Sequence, residues 1–150
     1  MRHATDCLPA IVFIKSCRHM DDTFNLSIVP MVFIVDDSDE IRDSLAAYFR
    51  VHGIEVEAYA STEEFVRSYR PRKYSCLVLD HHLRDSTGID FLGSSAFREI
   101  NIPVVMITAS TSMVIKHRAL EAGAAGFLQK PLNLATLLAV IYAAVNRYCR

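Results

Sequence analysis

Met31-Val32-Phe33-Ile34-Val35-Asp36-Asp37 is an unbroken apolar run that stops on two carboxylates. A run of this kind, with β-branched content, is what a strand buried on both faces of a parallel sheet requires. Working outward from it, the same form recurs three times. Cys76-Leu77-Val78-Leu79 stops on Asp80, Val104-Val105-Met106-Ile107 stops on Thr108, and Gly126-Phe127-Leu128 is followed by Lys130-Pro131. In an open parallel sheet the C-terminal strand ends share one edge, so these groups can converge on one pocket. Carboxylates crowded together need a cation, and a cation beside an aspartate suits phosphoryl chemistry.

Between the runs, helix signals alternate with strand signals. Strand one covers 31–36. Ser38 caps a helix in which Ile41, Leu45, Tyr48, Phe49 and His52 recur at helical spacing, and Gly53 stops it. Ile54 to Ala58 is strand two; Ser61 and Glu64 have the spacing of a capping box, and Pro71 ends the helix they open. Tyr74 to Asp80 is strand three and Asp85 to Gly88 a turn. Ile89, Leu92 and Phe97 suggest one helix, weakened by Gly93-Ser94-Ser95. Pro103 begins strand four; Thr111 or Ser112 caps the next helix, which Gly123 ends. Residues 125–128 are strand five, and Asn133 caps a last helix of about 14 residues. Five β-α repeats imply a three-layer α/β sandwich with right-handed crossovers. The expected architecture is a doubly wound, five-stranded parallel sheet of order 2-1-3-4-5 with helices on both faces. Its site lies at the switch point between strands one and three, the strands that Asp36, Asp37 and Asp80 end.

Length and composition agree. The 150 residues suffice for one domain with a full core, and 51% apolar with 22% charged residues excludes a disordered chain. A net charge of −1 gives no general pull toward nucleic acid or anionic membrane. No apolar run reaches the ~20 residues of a membrane span. Cys7, Cys17, Cys76 and Cys149 show neither a C-x-x-C nor a metal spacing, so the expected setting is reducing and cytoplasmic. Residues 1–30 are an N-terminal extension without a catalytic pattern. Its apolar stretch Leu8 to Ile14 faintly resembles a signal peptide, but Pro9 interrupts it and no small-residue cleavage site follows. Ile11-Val12-Phe13-Ile14 would otherwise add a short strand, and Met20 and Met31 are alternative starts.

The residues that carry these readings also resemble a known family. Val32-Phe33-Ile34-Val35-Asp36-Asp37, Leu77-Val78-Leu79-Asp80, Ile107-Thr108-Ala109 and Gly126-Phe127-Leu128-Gln129-Lys130-Pro131 resemble the receiver domain of two-component response regulators. The intervals match as well: Asp80 lies 43 positions after Asp37, Thr108 28 after Asp80, and Lys130 50 after Asp80. The resemblance covers residues 31–147, and the wording Ala-Gly-Ala-x-Gly-Phe brings it closest to the FixJ-type branch, which normally carries a DNA-binding output domain. It implies a CheY-like, flavodoxin-like fold over 31–150. Asp80 would accept a phosphoryl group from a histidine kinase or histidine phosphotransfer protein. Mg²⁺ would be the cofactor, held by Asp37, Asp80 and the backbone carbonyl of His82, with Asp36 assisting through water. Lys130 would pair with the phosphoryl oxygens and Thr108 would donate to them. Phe127 would be the aromatic residue that reorients. The chain would be a switch rather than an enzyme that turns over substrate.

Three features depart from or add to that pattern. Where the family usually has Pro four residues past the acceptor, this chain has Arg84, which puts the rigidity of the loop in question. His81-His82 reads as a pair of exposed loop histidines, with His82 facing the incoming water. In the last helix Leu134, Leu137, Leu138, Ile141 and Val145 are assigned to the core, and Thr136, Ala139, Val140 and Ala143 to an uncharged outer face. With strands four and five that face would dock a downstream protein or a second copy. No helix-turn-helix or basic recognition segment is seen, so the expectation is a single-domain regulator without direct nucleic-acid binding. The alternatives are a haloacid-dehalogenase-type Mg²⁺-dependent phosphohydrolase, which would want Asp where His82 stands, a phosphorylation-independent scaffold, and a flavin module, which would want a phosphate loop after strand one.

Overall fold

A computed structural model describes residues 28–148. The expected strand at Ile11 to Ile14, the reading of residues 1–27, and Cys7, Cys17 and Cys149 lie outside them. The chain runs β1 (Met31–Val35), α1 (Asp39–Val51), β2 (Glu55–Tyr59), α2 (Thr62–Ser68), β3 (Ser75–Asp80), α3 (Gly88–Leu92), α4 (Ser95–Ile100), β4 (Val104–Thr108), α5 (Met113–Glu121), β5 (Gly126–Gln129) and α6 (Leu134–Tyr148). The five strands form one sheet of order β2-β1-β3-β4-β5, parallel throughout. This is the expected topology.

Alternation along the strands sorts their side chains into two cores. Val32, Ile34, Cys76, Val78, Val105 and Ile107 pack with Leu45 and Phe49 of α1 and with Leu137 and Ile141 of α6. Phe33, Val35, Leu77, Leu79 and Met106 pack on the other face with Phe65 of α2, Phe91 and Leu92 of α3, and Ala119 of α5. Burying one such side chain contributes about 1.5–3 kcal/mol, so the strands are held by both faces at once.

Polar side chains start the helices where the sequence places them. Ser38 Oγ accepts from the amide of Ile41, Ser61 Oγ from Glu64 and Ser112 Oγ from Ile115, while Asn133 Oδ1 accepts from Thr136. Two expectations need correction. The single helix expected through Ile89, Leu92 and Phe97 is two. Gly93 closes α3, and Ser94 Oγ accepts from the amide of Phe97 to open α4. On α6, Val140 is buried rather than outward-facing, because it fills the space above Gly126, where a β-carbon would lie 2.6 Å from Val140 Cγ1. Ala139 remains exposed, and Thr136 and Ala143 are half-buried.

Register then fixes the height of each strand end. Val35 stands level with Leu79, Asp80 with Ile107, and Thr108 with Gln129. Asp36, Asp80, Thr108 and Lys130 therefore emerge on one edge.

Candidate functional site at the C-terminal sheet edge

Asp36, Asp37 and Asp80 each offer a carboxylate oxygen within 4.8 Å of the others. Asp36 and Asp80 are buried, and Asp37 is half-buried at the bend after β1. Lys130 reaches over from the end of β5: its Nζ lies 3.1 Å from Asp36 Oδ2 and 3.3 Å from Asp80 Oδ1. The backbone of the same residue is tied to the site, since the Lys130 amide donates to the Thr108 carbonyl at 2.7 Å.

Asp36 is held at every polar atom. Its amide donates to Tyr59 O, its Oδ1 accepts from the Ser38 amide at 2.9 Å, and its carbonyl accepts from Arg42 Nη1 at 2.6 Å. Asp80 is held less fully. Burial raises its pKa above the usual carboxylate range, the Asp36 carboxylate pushes the same way, and Lys130 opposes both. An acidic group kept near others of its sign is what a cation, or a group arriving with one, would relieve. Three carboxylates form a hard-oxygen donor set, and such a set suits Mg²⁺.

Thr108 ends β4 with no exposure to solvent, and its Oγ1 accepts from the Ser110 amide at 3.1 Å. A hydroxyl that accepts in this way can also donate its proton. Alternation puts Thr108 on the face of Met106, with which the half-buried Phe127 packs. The loop after Asp80 is braced without a proline: Gly88 N donates to His81 O at 2.9 Å, Leu83 N donates to Ser86 O at 3.2 Å, and His82 pairs with Thr87. Arg84 sits exposed at its tip.

The histidine pair divides. His82 is exposed as expected, but His81 is buried, and its Nδ1 has no hydrogen-bond partner. The correction follows from strand geometry. His81 continues β3 by one more residue, with its amide donating to Ile107 O, so its ring turns inward. Arg42 was not singled out from sequence; its position four residues past the cap Ser38 is the signal that places it over the strand end.

Comparison with known proteins agrees with this geometry. Residues 32–142 match the family model described as response regulator receiver domain. The chain belongs to that family. Nodulation protein W of Bradyrhizobium diazoefficiens is 38% identical over 117 residues, covering 78% of this chain and 52% of that protein. The transcriptional regulatory protein FixJ of Azorhizobium caulinodans is 28% identical over 116 residues, covering 77% and 55% respectively. The solved structure of FixJ-N superposes with a TM-score of 0.70 at 28% identity, covering 81% of this chain and 95% of that one. The response regulator StyR does so with a TM-score of 0.71 at 34% identity, covering 81% and 61%. The chain spans about half the length of the curated relatives it matches.

Receiver domains are phosphorylated on an aspartate and bind Mg²⁺ at an acidic cluster, and this receiver carries such a cluster at the edge where its fold places it. Family membership favours the receiver reading over the hydrolase alternative. Among the described residues, no helix is long and apolar enough to cross a membrane.

Proposed function

We propose that Asp80 is the phosphoacceptor of this receiver and that a histidine kinase or histidine phosphotransfer protein is its donor. The observation that carries the reading is the Lys130 ammonium, set 3.1 Å from Asp36 and 3.3 Å from Asp80 across the ends of β1, β3 and β5. Asp37, Asp80 and the His82 carbonyl would hold Mg²⁺, with Asp36 assisting; when bound, the ion would offset the repulsion between an anionic nucleophile and an anionic phosphoryl group.

The chain's own residues account for the rest. An Asp80 carboxylate oxygen attacks the phosphorus of the donor phosphohistidine. The P–O bond forms as the P–N bond breaks, and the imidazole leaves with the electron pair. The product is an aspartyl phosphate. Lys130 already touches Asp80 Oδ1, so its charge stands where the transferred group gathers negative charge. Thr108 follows the new oxygens by donating its hydroxyl proton to them, which vacates space toward Phe127. The surface of β4, β5 and α6 then changes for a downstream partner or a second copy. A shift in population from 1:99 to 99:1 needs about 5.5 kcal/mol of differential stabilisation.

Incubation with acetyl phosphate and Mg²⁺ is expected to add one phosphoryl group to the intact mass of wild type and none to Asp80→Asn. An unmodified wild type, under acetyl phosphate and with kinases supplied, contradicts the proposal.

A further inference from the structure

We propose that Arg42 is a positioning residue for the cation site: it locks the peptide that joins Asp36 to Asp37 and so aims both carboxylates into one pocket. The inference rests on the reading of the Mg²⁺ site, in which Asp37, Asp80 and the His82 carbonyl hold the ion and Asp36 assists.

Adjacent residues of an extended strand point to opposite faces. Asp36 and Asp37 nevertheless bring oxygens within 4.8 Å of each other and of Asp80. The backbone must turn between them, and it does so at a bend just past β1. The carbonyl in that connecting peptide belongs to Asp36, and it accepts from Arg42 Nη1 at 2.6 Å. Arg42 reaches it because helical side chains lean toward the N-terminus of their helix, here over the start of α1. Its Nη2 is engaged by the Asp39 carboxylate one turn earlier, so both arms of the fork are occupied, and the side chain is only 15% exposed. A planar guanidinium gripped at two points sets a direction that a lysine ammonium does not. Ser38 and Lys130 fix the carboxylate of Asp36, whereas Arg42 holds the carbonyl on the Asp37 side.

Partners that orient metal ligands typically alter affinity by about 10–100-fold. Titration calorimetry with MgCl₂ alone is expected to show an affinity for Arg42→Ala about tenfold weaker than wild type. Arg42→Lys, which keeps the charge and loses the fork, should fall between the two. Arg50→Ala, on the exposed last turn of α1, should bind as wild type does. Melting temperature followed against MgCl₂ gives a second readout, in which the Arg42 variants need more Mg²⁺ for the same rise. Wild-type affinity in a folded Arg42→Ala overturns the inference. If that variant does not fold, wild-type affinity in Arg42→Lys overturns it equally. Should wild type itself bind no Mg²⁺, the reading of the cation site falls, and the role of Arg42 with it.

Discussion

At the scale of single residues, the site is built by close approach as much as by charge. A β-carbon on Gly88 would meet Asp80 O at 3.0 Å, Met106 Cε at 3.1 Å and His81 Cα at 3.2 Å. Two of those neighbours are backbone of Asp80, the proposed acceptor, and of the residue after it, so they cannot give way without moving Asp80. A 1 Å misplacement costs about 10²-fold in rate, and a shift of a few tenths should cost roughly tenfold. Gly88→Ala should therefore slow phosphorylation by acetyl phosphate while the protein stays folded, as checked by rate measurement beside circular dichroism. An unchanged rate would show that the loop carrying His82 yields freely. Cys76 offers a second check at this scale. Burial pushes its thiol up to about 12, so almost no thiolate exists at neutral pH. Peptide-resolved alkylation near pH 8 should leave Cys76 unmodified in the folded chain and label it in urea.

At the scale of elements, two expectations drawn from spacing gave way, one to a side-chain hydrogen bond and one to packing. Propensity and spacing allowed one helix through Ile89 and Phe97. The structure breaks it because Ser94 Oγ both accepts from Phe97 N and donates to Phe91 O, which satisfies the groups a broken helix exposes. Val140 lies on the outer face of an isolated helical wheel, yet it is buried, because Gly126 removes a side chain from β5 and lets α6 approach. A wheel knows nothing of a glycine fourteen residues earlier. Gly126→Ala should destabilise the fold by about 1–3 kcal/mol through overpacking against Val140, and urea denaturation should restore most of that loss in the double variant with Val140→Ala. Helix starts were legible where a single polar side chain decides them. Ser61→Ala removes the acceptor for Glu64 N and should cost about 1 kcal/mol.

At the scale of the whole molecule, the sheet order and the edge that gathers Asp36, Asp37, Asp80, Thr108 and Lys130 were readable from strand ends, because a parallel sheet leaves little freedom in where those ends go. The contacts between ends were not readable. That Lys130 bridges two carboxylates, that His81 is buried, and that Arg42 braces the β1 end all depend on register and on helix placement, which spacing along the chain does not encode. The gathered charge has a global consequence. Asp80 has a folded-state pKa above its unfolded value, so in metal-free buffer the stability it contributes is full below the unfolded pKa and is lost as pH rises through the folded one. Asp80→Asn, which cannot ionise, should therefore gain on wild type as pH climbs out of the acid range. Thermal unfolding with EDTA at pH 4 and pH 7.5 should show this, and added Mg²⁺ should reverse it by stabilising wild type alone.

The central claim is that one carboxylate, that of Asp80, receives the phosphoryl group. Borohydride reduces an acyl phosphate to an alcohol and so converts a phosphorylated aspartate to homoserine. Treating the acetyl phosphate-labelled protein with borohydride and sequencing its peptides should place homoserine at position 80, with Asp36 and Asp37 intact. Homoserine at either of those positions instead, or at none, would contradict the account.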